Sequence, residues 1–268
     1  MSTDESIEKV EEVSNLSKKL PKLLIVALVV ALVSAALSSY AVSRVPSSTS
    51  SKDSTALVED GDLFVAPVDL AKFISDTEKS VVEIFCFGTG TGFAYDIEVE
   101  NSEYKTVLVT NHHVVSDCLD DLAALEIYTF DEYENPAKFR VRGVDEENDV
   151  ALLEIVEELP VLFGSEYFAQ RGWWTMVIGN PVDTGFEKEE DWRTLFNATT
   201  FGQISYVLDD YYNYTSATIN GGNSGGPLLN SRGEVIGINT QAGASTEDGV
   251  WNIAFDMEVL CKRLITCS

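Results

Sequence analysis

From residue 80 onward the hydrophobic positions fall in short runs, many of them alternating with polar ones, and turn residues interrupt them at roughly ten-residue intervals. The runs are "SVVEIFCF", "TGFAYDIEV", "YKTVLVT", "ALEIYTF", "AKFRVRGV", "VALLEIV", then "WWTMVIG", "FGQISYVL", "YTSATI", "GPLLN", "EVIGINT" and "VWNIAF". About twelve short strands with no helical pattern between them predict an antiparallel barrel or sandwich rather than a parallel sheet. The stretch "EELPVLFGSEYFAQRG" separates six runs from six, which predicts two similar halves. Helical spacing occurs twice. Leu70, Phe73 and Ile74 share one face of a short amphipathic helix within residues 67 to 79, and Met257, Leu260, Cys261 and Leu264 predict a terminal helix that caps the domain.

The pattern is different near the N-terminus. Residues 23 to 43, "LLIVALVVALVSAALSSYAVS", carry no charge, and at about 1.5 Å per residue they match a hydrocarbon layer ~30 Å thick. Lys18, Lys19 and Lys22 precede this run and only Arg44 and Lys52 follow closely, so the leading residues 1 to 22 are expected in the cytoplasm and the rest outside it. A cleaved signal peptide, with Ser39 and Ala41 before the cut, is the alternative and would give a secreted domain. The long polar leader, with acids at Asp4, Glu5, Glu8, Glu11 and Glu12, favours an uncleaved transmembrane anchor. Residues 44 to 62 are rich in Ser and Thr, lack apolar periodicity and read as a tether. The folded domain is expected over 63 to 268, with its halves at about 80 to 158 and about 170 to 256.

Composition narrows the partners. The chain has 268 residues, 45% of them hydrophobic, enough for a sizeable core. Its 18 basic and 44 acidic residues give a formal charge of -26, which excludes nucleic acid, whose phosphates require a basic footprint. The acidic clusters Asp145, Glu146, Glu147 and Glu187, Glu189, Glu190, Asp191 read as solvated surface. Four cysteines in an exported domain allow three connectivities; the expected pairs are Cys86 with Cys118 and Cys261 with Cys267. Two glycosylation triplets, Asn197-Ala-Thr199 and Asn213-Tyr-Thr215, carry meaning only in a host that glycosylates.

The candidate chemistry is nucleophilic. A serine hydroxyl becomes reactive at neutral pH only with a base in hydrogen-bond reach and a third group to orient that base. The two histidines of the chain are adjacent, His112 and His113, at the end of a predicted strand in "VLVTNHHVVSDC". Asp149 stands at the head of the apolar run "VALLEIV", a costly place for an unpaired charge. In "INGGNSGGPLL", Ser224 follows Gly222 by two residues, so two nearby amides can point at a developing oxyanion. The order His, Asp, Ser, with gaps of 36 and 75 residues, is one of the known orders for a catalytic triad.

These residues carry a resemblance. "GTGTGF", "VTNHHVV", "GVDEENDVALLEI", "VIGNP", "FGQIS", "INGGNSGGPLLNSRGEVIGINT" and "WNIAF" stand in the order and near the spacings of the protease domain of the HtrA/DegP-like family of trypsin-fold serine proteases, which the segment from about 67 to 260 resembles. The resemblance implies an all-β fold of two six-stranded antiparallel β-barrels with a C-terminal helix, and a serine endopeptidase acting on unfolded or extended polypeptides. It implies Ser224 as nucleophile, His113 as base because it directly precedes the "VV", and Asp149 as the group that orients it. The amides of Gly222 and Ser224 then form the oxyanion hole, and no metal or organic cofactor is implied. In digestive trypsin-like enzymes an aspartate just before the serine pairs with a freshly cut N-terminus; Asn223 has no charge for that pairing. Thr218, six residues before Ser224, offers no acid for a basic P1 side chain, while Thr240, Gln241 and Ala242 are expected to pair with an extended substrate, so the expected P1 residue is small or medium and uncharged. Chains of this family usually continue into one or two PDZ domains and often form trimers. This sequence stops at Ser268, so a chain without a PDZ domain is expected, with a homo-oligomer left open.

Overall fold

The computed structural model describes residues 62–183, 193–208, 212–241, 252–262 and 264–265. The predicted membrane anchor, its leader and most of the tether lie outside these residues; among the described residues no helix is long and apolar enough to cross a membrane. The domain opens with α1 (Leu70–Thr77), capped by Asp69, whose carboxylate accepts from the Lys72 N–H at 3.0 Å. Its Leu70, Phe73 and Ile74 pack on the core, as their spacing predicts.

Each of the twelve predicted runs overlaps a strand, although "YTSATI" contributes only Tyr214 and Thr215 to a strand that begins at Tyr212. The first half contains β1 (Val81–Phe85), β2 (Thr89–Tyr95), β3 (Thr106–Thr110), β4 (Glu126–Tyr128), β5 (Phe139–Asp145) and β6 (Val150–Ile155), with α2 (His112–Val115) after β3. The second contains β7 (Trp174–Gly179), β8 (Val182–Asp183), β9 (Arg193–Thr194), β10 (Ala198–Leu208), β11 (Tyr212–Thr215), β12 (Pro227–Leu229), β13 (Val235–Gln241) and β14 (Asn252–Phe255). Strands β10-β11-β14-β13-β12-β7 close into the expected antiparallel barrel.

The first half departs from expectation, because it is an antiparallel sheet in the order β4-β1-β2-β3-β6-β5 whose edges do not close. Strand β4 has only three residues, and the chain turns back through Pro136, which has no N–H for a ladder. One bond, Ala137 N–H to the Ile127 carbonyl at 2.7 Å, draws the returning chain to β4 before β5 begins. The terminal cap is also a 3₁₀ turn, Met257–Lys262, rather than an α-helix. The small β8–β9 ladder has two residues on each side, too few for any periodicity to announce it.

Strand alternation explains the core. Along β6, Val150 and Leu152 face a layer that also holds Trp174, Met176 and Ile178 of β7, whereas Ala151, Leu153 and Ile155 face the interior of the first sheet. Val177 points instead into the closed barrel with Ile204, Leu228 and Ile236. Both faces of β6 and β7 are therefore buried, and each Leu or Ile removed from water contributes about 1.5–3 kcal/mol. The connecting segment ties the halves: Leu162 N–H donates to Ala94 O at 2.9 Å, and Val235 N–H donates to Phe163 O at 2.8 Å. Asn213 is buried with its Nδ2 on Ile236 O at 2.7 Å, so this triplet is committed to barrel packing rather than to a sugar.

Cys86 and Cys118 are bonded, with Cα atoms 5.9 Å apart. The side chain of Cys261 and the whole of Cys267 lie outside the described residues. The bond ties the β1–β2 tip to the turn that follows α2 and closes a loop of 32 residues, so it restricts the unfolded chain. Replacing both cysteines with alanine is expected to lower unfolding stability by about 3 kcal/mol. Urea denaturation in oxidising and reducing buffer checks this, and the variant should lose the sensitivity to reductant.

Candidate active site

His113 and Asp149 are brought together by the packing of β3 on β6. The chain leaves β3 at Asn111, turns into α2 and presents His113 at the surface, while Asp149 stands one residue before β6. Asp149 Oδ2 and Oδ1 lie 2.8 and 3.0 Å from His113 Nδ1, and Oδ1 also accepts the His113 backbone N–H at 2.9 Å. The Thr240 hydroxyl donates to Oδ2 at 3.0 Å. Burial pushes the Asp149 carboxyl up, but the hydrogen bonds and charge of His113 and the bond from Thr240 outweigh it and hold it below the ordinary carboxylate range. An ionised carboxylate only accepts, so Nδ1 carries the proton and Nε2 keeps a basic lone pair.

Local structure fixes Asp149 firmly. It adopts φ 52°, in the left-handed region that Asp tolerates better than most residues. Its carbonyl accepts from Asn111 Nδ2 at 2.8 Å, and its N–H donates to Glu146 O at 3.3 Å. Asp145, read from sequence as part of a solvated acidic cluster, is buried instead; its carboxylate accepts the Asn148 N–H at 3.2 Å and builds the turn that presents Asp149. The cluster at 187–191 lies outside the described residues.

Ser224 sits in the turn between β11 and β12, where glycines are sterically required. Gly222 has φ +97°, and a Cβ there would lie 2.3 Å from Asn180 O; Gly225 has φ +83°, and a Cβ there would lie 2.2 Å from both Thr110 Oγ1 and Thr91 O. Hydrogen bonds set the amide directions. Gly221 O accepts from Val182 N–H at 3.0 Å and Asn223 O accepts from Gly226 N–H at 3.0 Å. In a trans peptide the N–H points opposite its carbonyl, so the Gly222 and Ser224 N–H groups are aimed by those two bonds. Neither donates to another backbone group among the described residues.

The Ser224 hydroxyl donates to the Thr240 carbonyl at 3.1 Å. No hydrogen bond joins it to His113 among the described residues; the link between the two sides is Thr240, which touches Asp149 through its hydroxyl and Ser224 through its carbonyl. Sequence reasoning assigned Thr240 only to substrate pairing and missed this bridge. Thr218 is exposed, and its carbonyl accepts from Thr200 Oγ1 at 2.6 Å. Gln241 ends β13 with its backbone paired to Ile253, and Ala242 lies outside the described residues. His112 has no hydrogen bond to Asp149 or Ser224 among the described residues. Nor is any group of three or more His, Cys, Asp or Glu among them placed to hold a metal ion.

Comparison with known proteins converges on one family. Residues 90–238 match the trypsin-like peptidase domain. A probable periplasmic serine endoprotease, DegP-like, of Chlamydia trachomatis is 37% identical over 179 residues, covering 66% of this chain and 33% of that protein. The serine protease Do-like HtrA of Bacillus subtilis is 32% identical over 195 residues, covering 67% of this chain and 40% of that protein. The chain thus matches a third to two-fifths of the length of these relatives. The serine endoprotease of Yersinia pestis has the same fold, with a TM-score of 0.55 at 24% identity over 74% of this chain and 66% of that one.

Proposed function

Because the chain belongs to the trypsin-like peptidase family, with HtrA/DegP-like relatives, we propose that it is a serine endopeptidase acting on unfolded or extended polypeptides. The observation that carries the reading is the Asp149 carboxylate holding His113 by both ring nitrogen and backbone amide and linked through Thr240 to the glycine-framed Ser224. The serine hydroxyl leaves Thr240 O, and its oxygen attacks the substrate carbonyl carbon while the proton passes to His113 Nε2. The oxyanion is received by the Gly222 and Ser224 amides. The C–N bond then breaks, the amine leaves with the proton from Nε2, and a water deprotonated by the same nitrogen releases the acid and restores Ser224. Asp149 stabilises the imidazolium throughout.

The wider reading is protein quality control outside the cytoplasm, with residues 23–43 as the membrane anchor. The lack of an acid at Thr218 supports a small or medium uncharged P1 residue. The bond from Ser224 to Thr240 rather than to His113 favours a second reading, a polypeptide-binding module with little turnover. One experiment separates the two. The full-length chain is treated with a fluorophosphonate and mapped by mass spectrometry, and in parallel given a reduced, alkylated protein. A single adduct at Ser224 with cleavage of the unfolded protein is expected. A folded chain that binds the unfolded protein but neither labels nor cuts it would establish the binding module instead.

A further inference from the structure

We propose that Thr91, a wholly buried residue of β2, is a positioning residue that clamps the serine loop through the peptide groups adjoining those that bear the Gly222 and Ser224 amides; the inference rests on the peptidase reading above. The four peptide groups from Gly221 to Gly225 carry the two amides. The Gly221 and Asn223 carbonyls are held locally or by Val182. The Gly222 and Ser224 carbonyls are held by Thr91: its Oγ1 donates to Gly222 O at 2.7 Å, and its N–H donates to Ser224 O at 2.9 Å, while the N–H sides of the same peptide groups bond to Asn220 O at 3.0 Å and Asn239 O at 2.7 Å. The hydroxyl cannot turn away, because it accepts the Asn180 N–H at 2.9 Å and its proton is thereby directed to Gly222. On the other side, Thr91 O accepts from Thr110 Oγ1 at 2.7 Å, one residue before Asn111, which anchors Asp149. A single residue of the first sheet thus fixes the serine loop in register with the histidine and aspartate.

The hydroxyl is decisive because Gly222 has almost no conformational preference of its own. With φ at +97° and its carbonyl deprived of a donor in a buried site, the Gly222–Asn223 peptide group would turn to find another partner and shift the amide-bearing peptide groups on either side of it. Only the transition state uses that amide. Loss of the Thr91 hydroxyl therefore lowers kcat and leaves KM largely unchanged, which a purely structural hydroxyl would not do.

The test uses the full-length chain as wild type, Thr91→Val, which keeps the shape without the hydroxyl, and Thr91→Ser, which keeps the hydroxyl. Thr175→Val is the control, since the buried Thr175–Thr215 hydroxyl pair at 2.8 Å lies in the closed barrel and has no hydrogen bond to residues 220–226 among those described. Thr91→Val is expected to slow fluorophosphonate labelling and lower kcat by about 100-fold, with KM within a few-fold. Thr91→Ser should restore most of the rate, and Thr175→Val should lose stability without losing kcat. If Thr91→Val does not fold, Thr91→Cys replaces it, a weak donor in similar volume. A folded variant lacking the hydroxyl that labels at the wild-type rate overturns this inference alone. A wild type that neither labels nor cleaves overturns the peptidase reading and the inference with it.

Discussion

Replacing His113 with alanine is expected to lower kcat for peptide hydrolysis by about a million-fold, whereas His112→Ala should stay within a few-fold of wild type. Both histidines occupy α2, and successive residues on a helix point about 100° apart, so only one can meet Asp149. That one is His113, bonded through Nδ1 and through its backbone amide. Alanine keeps the amide bond and removes the ring, so the loop should hold while the proton acceptor disappears. Single-turnover labelling with a fluorophosphonate reads the effect directly, with circular dichroism confirming the fold. A dead His112→Ala variant beside an active His113→Ala would reverse the assignment.

Much of this was legible along the chain because strands announce themselves by alternation. Val150 to Ile155 reads as a continuous apolar run since both faces of β6 are buried, and the shorter runs follow the same logic. The pairing of His113 with Asp149 was legible because the histidines were few and a lone charge at the head of an apolar run needs a partner. What escaped has a common cause. Thr91 and Gly222 are separated by 131 residues, and nothing local in "GTGTGF" says that its second threonine donates to a carbonyl in the serine loop. The signal available was weaker: a threonine packed between glycines, where close backbone approach leaves a lone hydroxyl to find a partner. Asp145 was misread for the opposite reason, because a charge among charges looks solvated until the turn it caps is seen. The open edge of the first sheet depends on the brevity of β4 and on Pro136, details smaller than the periodicity that predicts strands.

Asp149→Asn is expected to lower kcat by about 10,000-fold at neutral pH with little change in KM. Asparagine is among the non-glycine residues most tolerant of φ 52°, so the turn should survive. Its amide can donate to His113 Nδ1, which would move the ring proton to Nε2 and remove the lone pair that faces the serine. The same substitution predicts a pH signature in stability. In the folded chain the Asp149 carboxyl lies below its ordinary range, since the bonds and charge of His113 and the bond from Thr240 overcome the opposing effect of burial. A depressed carboxyl contributes stability that is fully present above the unfolded value, about 3.9, and is lost as pH falls through the lower folded value. The difference in denaturation midpoint between wild type and Asp149→Asn should therefore shrink as pH is lowered from about 5 to about 3. A difference that grew over that interval would mean that burial dominates and that Asp149 takes up a proton on folding.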